Sequence, residues 1–310
     1  MKNKPSAQGR SALGGKPKII ILLGPTASGK SDLAVKLAKR FGGEVISADS
    51  RQVYRGLNIG AGKITKKEML GTPHHLLDVA DSKRVFTVTQ YQKLAKQAIQ
   101  EILGRGHLPI ICGGTGFYLE TLAFDKILPE VKPNLKLRKI LEKETVEKLW
   151  QKLQKLDPDR ATKIDPYNKV RLVRAIEIAT ELGAVPPLPK LDSPYDCLWL
   201  GLKPNDQKLA QNIHRRLLKR LQQGLVAEVR KLQQAGVSWK RLDDLGLEYR
   251  YVAQFLQNRL DKTEMLKQLE SAIWQFARRQ MTWFRHLPEI KWLKNQSEAS
   301  KLIKQFLAKN

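Results

Sequence analysis

The chain has 310 residues, 42% of them hydrophobic, and a formal net charge of +26. That length allows one large domain or two smaller ones. No run of about 18 apolar residues is present to cross a membrane, and two cysteines without a C-x-x-C exclude a disulfide framework and a structural zinc site. So large a positive charge favours a polyanionic partner, nucleic acid or an anionic membrane surface.

Residues 1–17 are basic, rich in Gly, Pro and Ser, and lack the apolar stretch of a secretory signal. Their composition predicts a disordered tail. Residues 18–23, KIIILL, read as a buried strand. Gly24–Ser31, GPTASGKS, then fits G-x-x-x-x-G-K-[ST], a phosphate-binding loop in its required place between a strand and a helix. Leu33, Ala34, Leu37, Ala38 and Phe41 give the helix from about Ser31 to Arg40 its apolar face. Residues 44–48, EVISA, form a second strand ending at Asp49. An amphipathic helix over 89–103 leads to a third strand in HLPIICGG, running into Gly113-Gly114. This alternation predicts an α/β fold, a P-loop NTPase-like core with a parallel sheet.

From 132 to 183 the periods are helical, with Pro133, Pro158 and Pro166 as breaks. GAVPPLPK (183–190) reads as a linker and CLWLGL (197–202) as another strand; from 205 onward the chain reads as helical and basic. The layout is a core of 18–127 and 191–310, completed by C-terminal helices and interrupted by a helical insertion domain over 128–190.

The loop residues carry the clearest chemistry. Gly24 and Gly29 permit positive φ and close backbone approach. Successive N–H groups and the helix N-terminus then face phosphate oxygens. Lys30 adds charge, and Ser31 is placed to help hold Mg²⁺. Asp49, at a strand's C-terminal end, has three readings: a Mg²⁺ ligand, a general base, or a turn cap. Ser50, Arg51 and Gln52 carry groups able to meet a nucleobase edge. Gly113-Gly114-Thr115 lets a ligand or a second backbone approach, or is a plain strand–helix turn. No acid follows that strand, so no Walker-B arrangement is evident there. Three basic clusters (Arg171 and Arg174 before Glu177; Arg215, Arg216, Lys219 and Arg220; Arg278, Arg279 and Arg285) read as a polyanion track or as solvated helix faces. Trp274, Trp283 and Phe284 sit at core spacing. His74-His75 reads as a turn with polar packing and Cys112 as a small buried apolar residue.

GPTASGKS, ISADSRQVYRGLNIGAGK, PHHLLD, LPIICGGTGFYLE and RLVRAIEI, followed by GLVAEV and ARRQMTWFR, occur in an order that resembles the tRNA dimethylallyltransferases. The resemblance spans roughly residues 18–293. It implies a donor, dimethylallyl diphosphate, and an acceptor, N6 of adenosine 37 in tRNAs reading codons that begin with U. By motif it implies that Gly24, Thr26, Ala27, Ser28, Gly29, Lys30 and Ser31 wrap the diphosphate, with Thr26 at the oxygen bridging to the prenyl carbon, Ser31 near Mg²⁺, and Arg216 assisting. It implies Asp49 as the base that takes the N6 proton. Ser50, Arg51, Gln52, Thr115, Arg138 and the segment Val170, Arg171, Leu172, Val173 and Arg174 are implied as tRNA contacts. The insertion becomes an arm on the anticodon stem-loop. A cytoplasmic monomer with no membrane association follows. The chain departs from the family pattern at Ala61, Asn212, Glu248, Ile273 and Trp274. A small-molecule or nucleoside kinase, or a non-catalytic RNA-binding protein, would use the same loop differently.

Overall fold

Ile19, Ile21 and Leu23 of β1 (Lys18–Leu23) pack on one side of a sheet, while Ile20 and Leu22 pack on the other. Side chains alternate along a strand, and this strand is apolar at both phases, so it needs helices on both faces. The computed structural model describes residues 15–187, 192–287 and 290–309. The tail expected over 1–17 falls there only at 15–17, which belong to no helix or strand, and residues 188–190 of the expected linker lie outside the described residues.

The chain divides into two compact units, one comprising the chain up to Asp125 and from Asp192 onward, the other Lys126–Leu191. In the first, β1 is followed by α1 (Lys30–Phe41), β2 (Gly43–Ser47), α2 (Lys66–Met69), β3 (His74–His75), α3 (Val88–Gly104), β4 (Leu108–Gly113) and α4 (Gly116–Ala123). The second unit holds α5 (Leu135–Leu141), α6 (Val146–Leu156), α7 (Pro158–Lys163) and α8 (Lys169–Leu182). The first resumes with β5 (Asp196–Leu202), α9 (Asp206–Gln222), α10 (Leu225–Gln234), α11 (Trp239–Leu245), α12 (Leu247–Leu256), α13 (Lys262–Phe284), β6 (Lys291–Leu293) and α14 (Gln296–Ala308). No helix among the described residues is long and apolar enough to cross a membrane.

The six strands are all parallel, in the order β3-β2-β4-β1-β5-β6. One face is covered by α3, α4 and the end of α13, through residues such as Ile99, Leu119 and Phe284. The other is covered by α1 and α14, through Leu37 and Ile303. The fold is the expected P-loop NTPase-like α/β core. Two short strands depart from the reading above. His74-His75, read as a turn, pairs with β2 at one sheet edge. Residues 291–293, inside the stretch read as helical, extend the other edge beside β5. Both are too short to show a period.

In the second unit α5–α8 close on Leu149, Leu153, Leu172 and Ile176. Glu177 is buried there, and its carboxylate accepts from Arg138 Nε (2.7 Å) and Nη2 (2.6 Å), from Arg174 Nη1 (3.4 Å) and from the Asn134 N–H (2.8 Å).

Candidate active site

The site lies at the C-terminal ends of β1, β2 and β4, where a parallel sheet leaves its crevice. The loop from β1 to α1 turns through Ala27 (φ 61) and Gly29 (φ 85), both left-handed. Gly24 is not left-handed. It is small because a Cβ there would lie 2.8 Å from Ser28 Oγ and 2.9 Å from the Leu202 carbonyl. The left-handed place read at Gly24 falls instead to Ala27, a residue that holds it at a cost of about 1–2 kcal/mol. The Ala27 carbonyl accepts from Asn212 Nδ2 at 3.2 Å. The Ser28 hydroxyl is buried and makes no hydrogen bond among the described residues.

Two cations converge on this loop. Lys30 Nζ donates to the Pro25 carbonyl at 3.3 Å. Burial pushes its ammonium down from the ordinary range, and the charge of Asp49 pulls it partly back. Arg216, from α9, donates through Nη2 to the Thr26 hydroxyl. Burial, reinforced by neighbouring Arg220, pushes its guanidinium down to about 10, which leaves it charged at neutral pH.

Asp49 stands two residues past β2. Its Oδ1 accepts from the N–H groups of Arg51 (2.8 Å) and Gln52 (3.4 Å). That is the turn-cap geometry, and it leaves Oδ2 without a hydrogen bond among the described residues. Arg51 Nε donates to the Leu245 carbonyl (2.5 Å). Gln52 accepts from the Ser47 hydroxyl (2.9 Å) and donates to the Gly62 carbonyl (3.2 Å). Both long side chains therefore have protein partners. The Thr115 hydroxyl accepts from the Ser50 N–H at 3.1 Å and so ties the ends of β2 and β4 together. Gly113 and Gly114 serve that packing: a Cβ on Gly113 would sit 2.1 Å from the Ala48 carbonyl oxygen, and one on Gly114 2.2 Å from Gln280 Nε2.

Three adjoining cavities meet here. A cleft of about 330 Å³ is lined by Ala27–Asp32 with Arg215, Arg216 and Lys219. A second, of about 220 Å³, is lined by Asp49, Ser50, Arg51, Thr115, Glu248 and Arg279, among others. Between them a space of about 60 Å³ is walled by Thr26, Lys30, Ser31, Asp49, Gln52 and Gln280. Arg216 lines all three. The first cleft brings Lys30, Arg215, Arg216 and Lys219 to the loop, suited to phosphate oxygens; the second sets Asp49 and Glu248 among Arg51, Arg216, Arg220, Arg250 and Arg279, suited to an anionic acceptor that must meet a carboxylate.

Gln280 went unassigned in the sequence. Its Oε1 accepts from the Thr26 N–H and its Nε2 donates to the Gly114 carbonyl, each at 2.8 Å. The signal was a glutamine on the apolar face of α13, in step with Ile273, Ala277 and Phe284. Trp283 packs over Gly116, and Phe284 is core, as their spacing predicted.

The remaining site candidates belong to the second unit. Arg138 and Arg174 are bonded to Glu177. Leu172 and Val173, implied as tRNA contacts, are 0% and 7% exposed and form the unit's core. Their side chains are unavailable to an RNA, because the α8 face they occupy is the packed one. Val170 and Arg171 face solvent.

No cluster of three or more His, Cys, Asp or Glu side chains among the described residues could hold a metal. The donors at the loop, the Ser31 hydroxyl with Asp49 on the same cavity wall, suit an ion held mainly by substrate oxygens and water, as Mg²⁺ prefers.

The sequence profile described as IPP transferase matches residues 52–287. A relative named tRNA dimethylallyltransferase 1, from Syntrophus aciditrophicus (strain SB), is 42% identical over 287 residues, which cover 89% of this chain and 93% of the relative. The chain belongs to the IPP transferase family. A second relative of that name, from Geotalea daltonii, is 43% identical over 279 residues, covering 89% and 90% of the two chains. The crystal structure of the full-length tRNA isopentenylpyrophosphate transferase from Bacillus halodurans is similar with a TM-score of 0.72 and 35% identity, covering 94% of this chain and 97% of that one. A eukaryotic dimethylallyltransferase acting on tRNA aligns with a TM-score of 0.77 and 27% identity over 94% and 79% of the chains. The profile match begins three residues beyond Asp49 and so does not include the phosphate loop.

Proposed function

We propose that the protein transfers the dimethylallyl group of dimethylallyl diphosphate to N6 of adenosine 37 in tRNAs reading codons that begin with U. The observation that carries this reading is the narrow space shared by Thr26, Lys30, Arg216 and Asp49, with the phosphate loop's cleft on one side and, on the other, a cleft in which Asp49 stands among arginines. A phosphate loop leading to a cationic cleft fits a leaving diphosphate. A carboxylate across the gap fits an acceptor that must lose a proton.

Gly24, Ala27, Ser28 and Gly29 form the cradle, where the unpartnered Ser28 hydroxyl adds a donor for an anionic oxygen. Lys30 and Arg216 stabilise the charge that builds as the carbon–oxygen bond breaks. Thr26, held by Gln280 and Arg216, faces the bridging oxygen. The purine amine is a weak nucleophile. As the N6–carbon bond forms, Asp49 takes the N6 proton on Oδ2 while Oδ1 stays fixed by its two N–H donors. Mg²⁺, held by Ser31 and substrate oxygens, supplies further neutralisation of the diphosphate when bound. The acceptor base leaves its stack to enter the cleft beside Ser50, Arg51, Gln52 and Thr115. Arg171 and Val170 of the insertion, with Arg138 and Arg174 near them in sequence or by their shared carboxylate, meet the anticodon stem-loop. The protein works as a monomer in the cytoplasm.

The test is incubation with Mg²⁺, labelled dimethylallyl diphosphate and unmodified tRNA. Label should enter the RNA at adenosine 37. ATP turnover without labelled RNA would replace this reading with the kinase.

A further inference from the structure

Glu228 lines none of the three cavities, yet its carboxylate is occupied by the loop that walls them. Oε2 accepts the N–H groups of Asn58 (3.0 Å) and Ile59 (2.7 Å); Oε1 accepts that of Gly60 (3.0 Å) and the Tyr249 hydroxyl (3.0 Å). The Tyr249 oxygen in turn accepts the Ala61 N–H at 3.0 Å. Four successive amides thus converge on one carboxylate and one phenol. Successive N–H groups of this kind make an anion-binding nest, and here the chain fills it with its own anion.

The loop is pressed onto these two residues. Tyr249 is 1% exposed, and a Cβ on Gly60 would meet its ring at 2.6 Å. From behind, buried Lys63 donates to the Tyr54 carbonyl (2.9 Å) and to Asn58 Oδ1 (3.0 Å). Past the anchor, Gly62 turns through φ 56 directly over Arg220, where a Cβ would lie 1.9 Å from Nη2. Gly62 walls the cationic cleft and the narrow space, and Ala61 walls the narrow space and the acceptor cleft. The Gly62 carbonyl also holds Gln52, whose backbone N–H contacts Asp49.

We propose that Glu228 is a positioning residue for the transfer reaction: by anchoring the amides of 58–60 it sets Ala61 and Gly62 as the wall between the two halves of the site and, through Gln52, steadies the turn that carries Asp49. The inference rests on the function proposed above. A carboxamide at this position has one acceptor oxygen and would turn an NH₂ toward amide donors, so the loop would lose its anchor with little change in volume.

The test compares wild type, Glu228→Gln, Tyr249→Phe and the double variant in the transfer assay with unmodified tRNA and dimethylallyl diphosphate, alongside tRNA Kd and thermal midpoint. In Glu228→Gln, kcat per folded molecule should fall on the order of 10–100-fold, as misplacement of reacting groups does. Its KM for dimethylallyl diphosphate and its tRNA Kd should change by less than about threefold, since binding groups are untouched. Tyr249→Phe should lose less, and the double variant should be little worse than Glu228→Gln alone, because both residues act on one loop. Wild-type-like kcat with only a lowered thermal midpoint would reduce Glu228 to a structural brace and overturn the inference. So would a loss carried by tRNA Kd, or strictly additive losses. If Glu228→Gln fails to fold, an unchanged kcat in Tyr249→Phe overturns it equally. A wild type that transfers no label would refute the proposed function instead.

Discussion

Gln280 and Thr26 are joined across 254 residues of sequence by a 2.8 Å hydrogen bond from the Thr26 N–H to the Gln280 side chain. The same amide holds the end of β4 through Gly114. Gln280→Leu keeps the volume but removes both bonds, leaving a buried N–H and a carbonyl unpaired. We expect kcat to fall on the order of 10–100-fold through misplacement of Thr26, and the thermal midpoint to drop. Steady-state transfer kinetics with a melting curve checks both.

Asp49→Asn retains the size and one acceptor oxygen but loses the base. Transfer should fall about 10²–10⁴-fold, the usual worth of a positioned general base. Binding of tRNA, read by filter retention or anisotropy, should stay near wild type. Full turnover in this variant would remove Asp49 from the chemistry.

Arg216→Ala takes a desolvated cation from the diphosphate side. Charge-assisted bonds are worth about 1.5–3 kcal/mol, so the KM for dimethylallyl diphosphate should rise roughly 10–100-fold. The pH dependence has a definite sign. The protonated guanidinium is the form that binds the anion, so diphosphate affinity should weaken as pH rises through about 10, where burial has brought this group. Diphosphate binding followed calorimetrically against pH in wild type and Arg216→Ala would separate this inflection from that of Lys30, whose ammonium is also pushed down by burial.

Glu44 is 2% exposed at the start of β2, and Arg105, His75 and His107 all bond it. The Arg105 guanidinium, helped by the two histidines against the opposing effect of burial, brings its carboxyl down to about 2. A depressed carboxyl stabilises the fold above its unfolded value and loses that contribution as pH falls toward about 2. Glu44→Gln should therefore cost about 2 kcal/mol near neutrality, the modest figure reflecting half-exposed partners. The gap to wild type should close in acid. Urea titrations at several pH values test this.

Arg171→Ala should weaken tRNA binding about equally for all substrate tRNAs and reduce the slope of log affinity against log salt by about one. Leu172→Ala should instead unsettle the insertion by about 2–5 kcal/mol, as a core truncation does.

The loop, its flanking strand and helix, and Asp49 were legible because their cues are local: an apolar run, a glycine spacing, an acid at a strand end. Gln280, Glu228 and Tyr249 were not, because each acts on a segment more than 150 residues away in the chain. Gln280 left one trace, an amide on an apolar helix face. Leu172 and Val173 were drawn in by a motif that gives a segment but not a face. The pairing of Arg138 with Glu177 joins residues on separate helices, a relation no helical period encodes. Edge strands of two or three residues carry too few side chains to alternate.

The phosphate loop is made early in the chain, but what fixes it comes late. Thr26 is held by α9 through Arg216 and by α13 through Gln280, and the sheet beside β1 is completed only by β5. A nascent chain that stops short of β5 carries GPTASGKS with none of these supports. During synthesis the glycine-rich loop is therefore an unfinished anion site, and competence for catalysis arrives only when the last long helix docks.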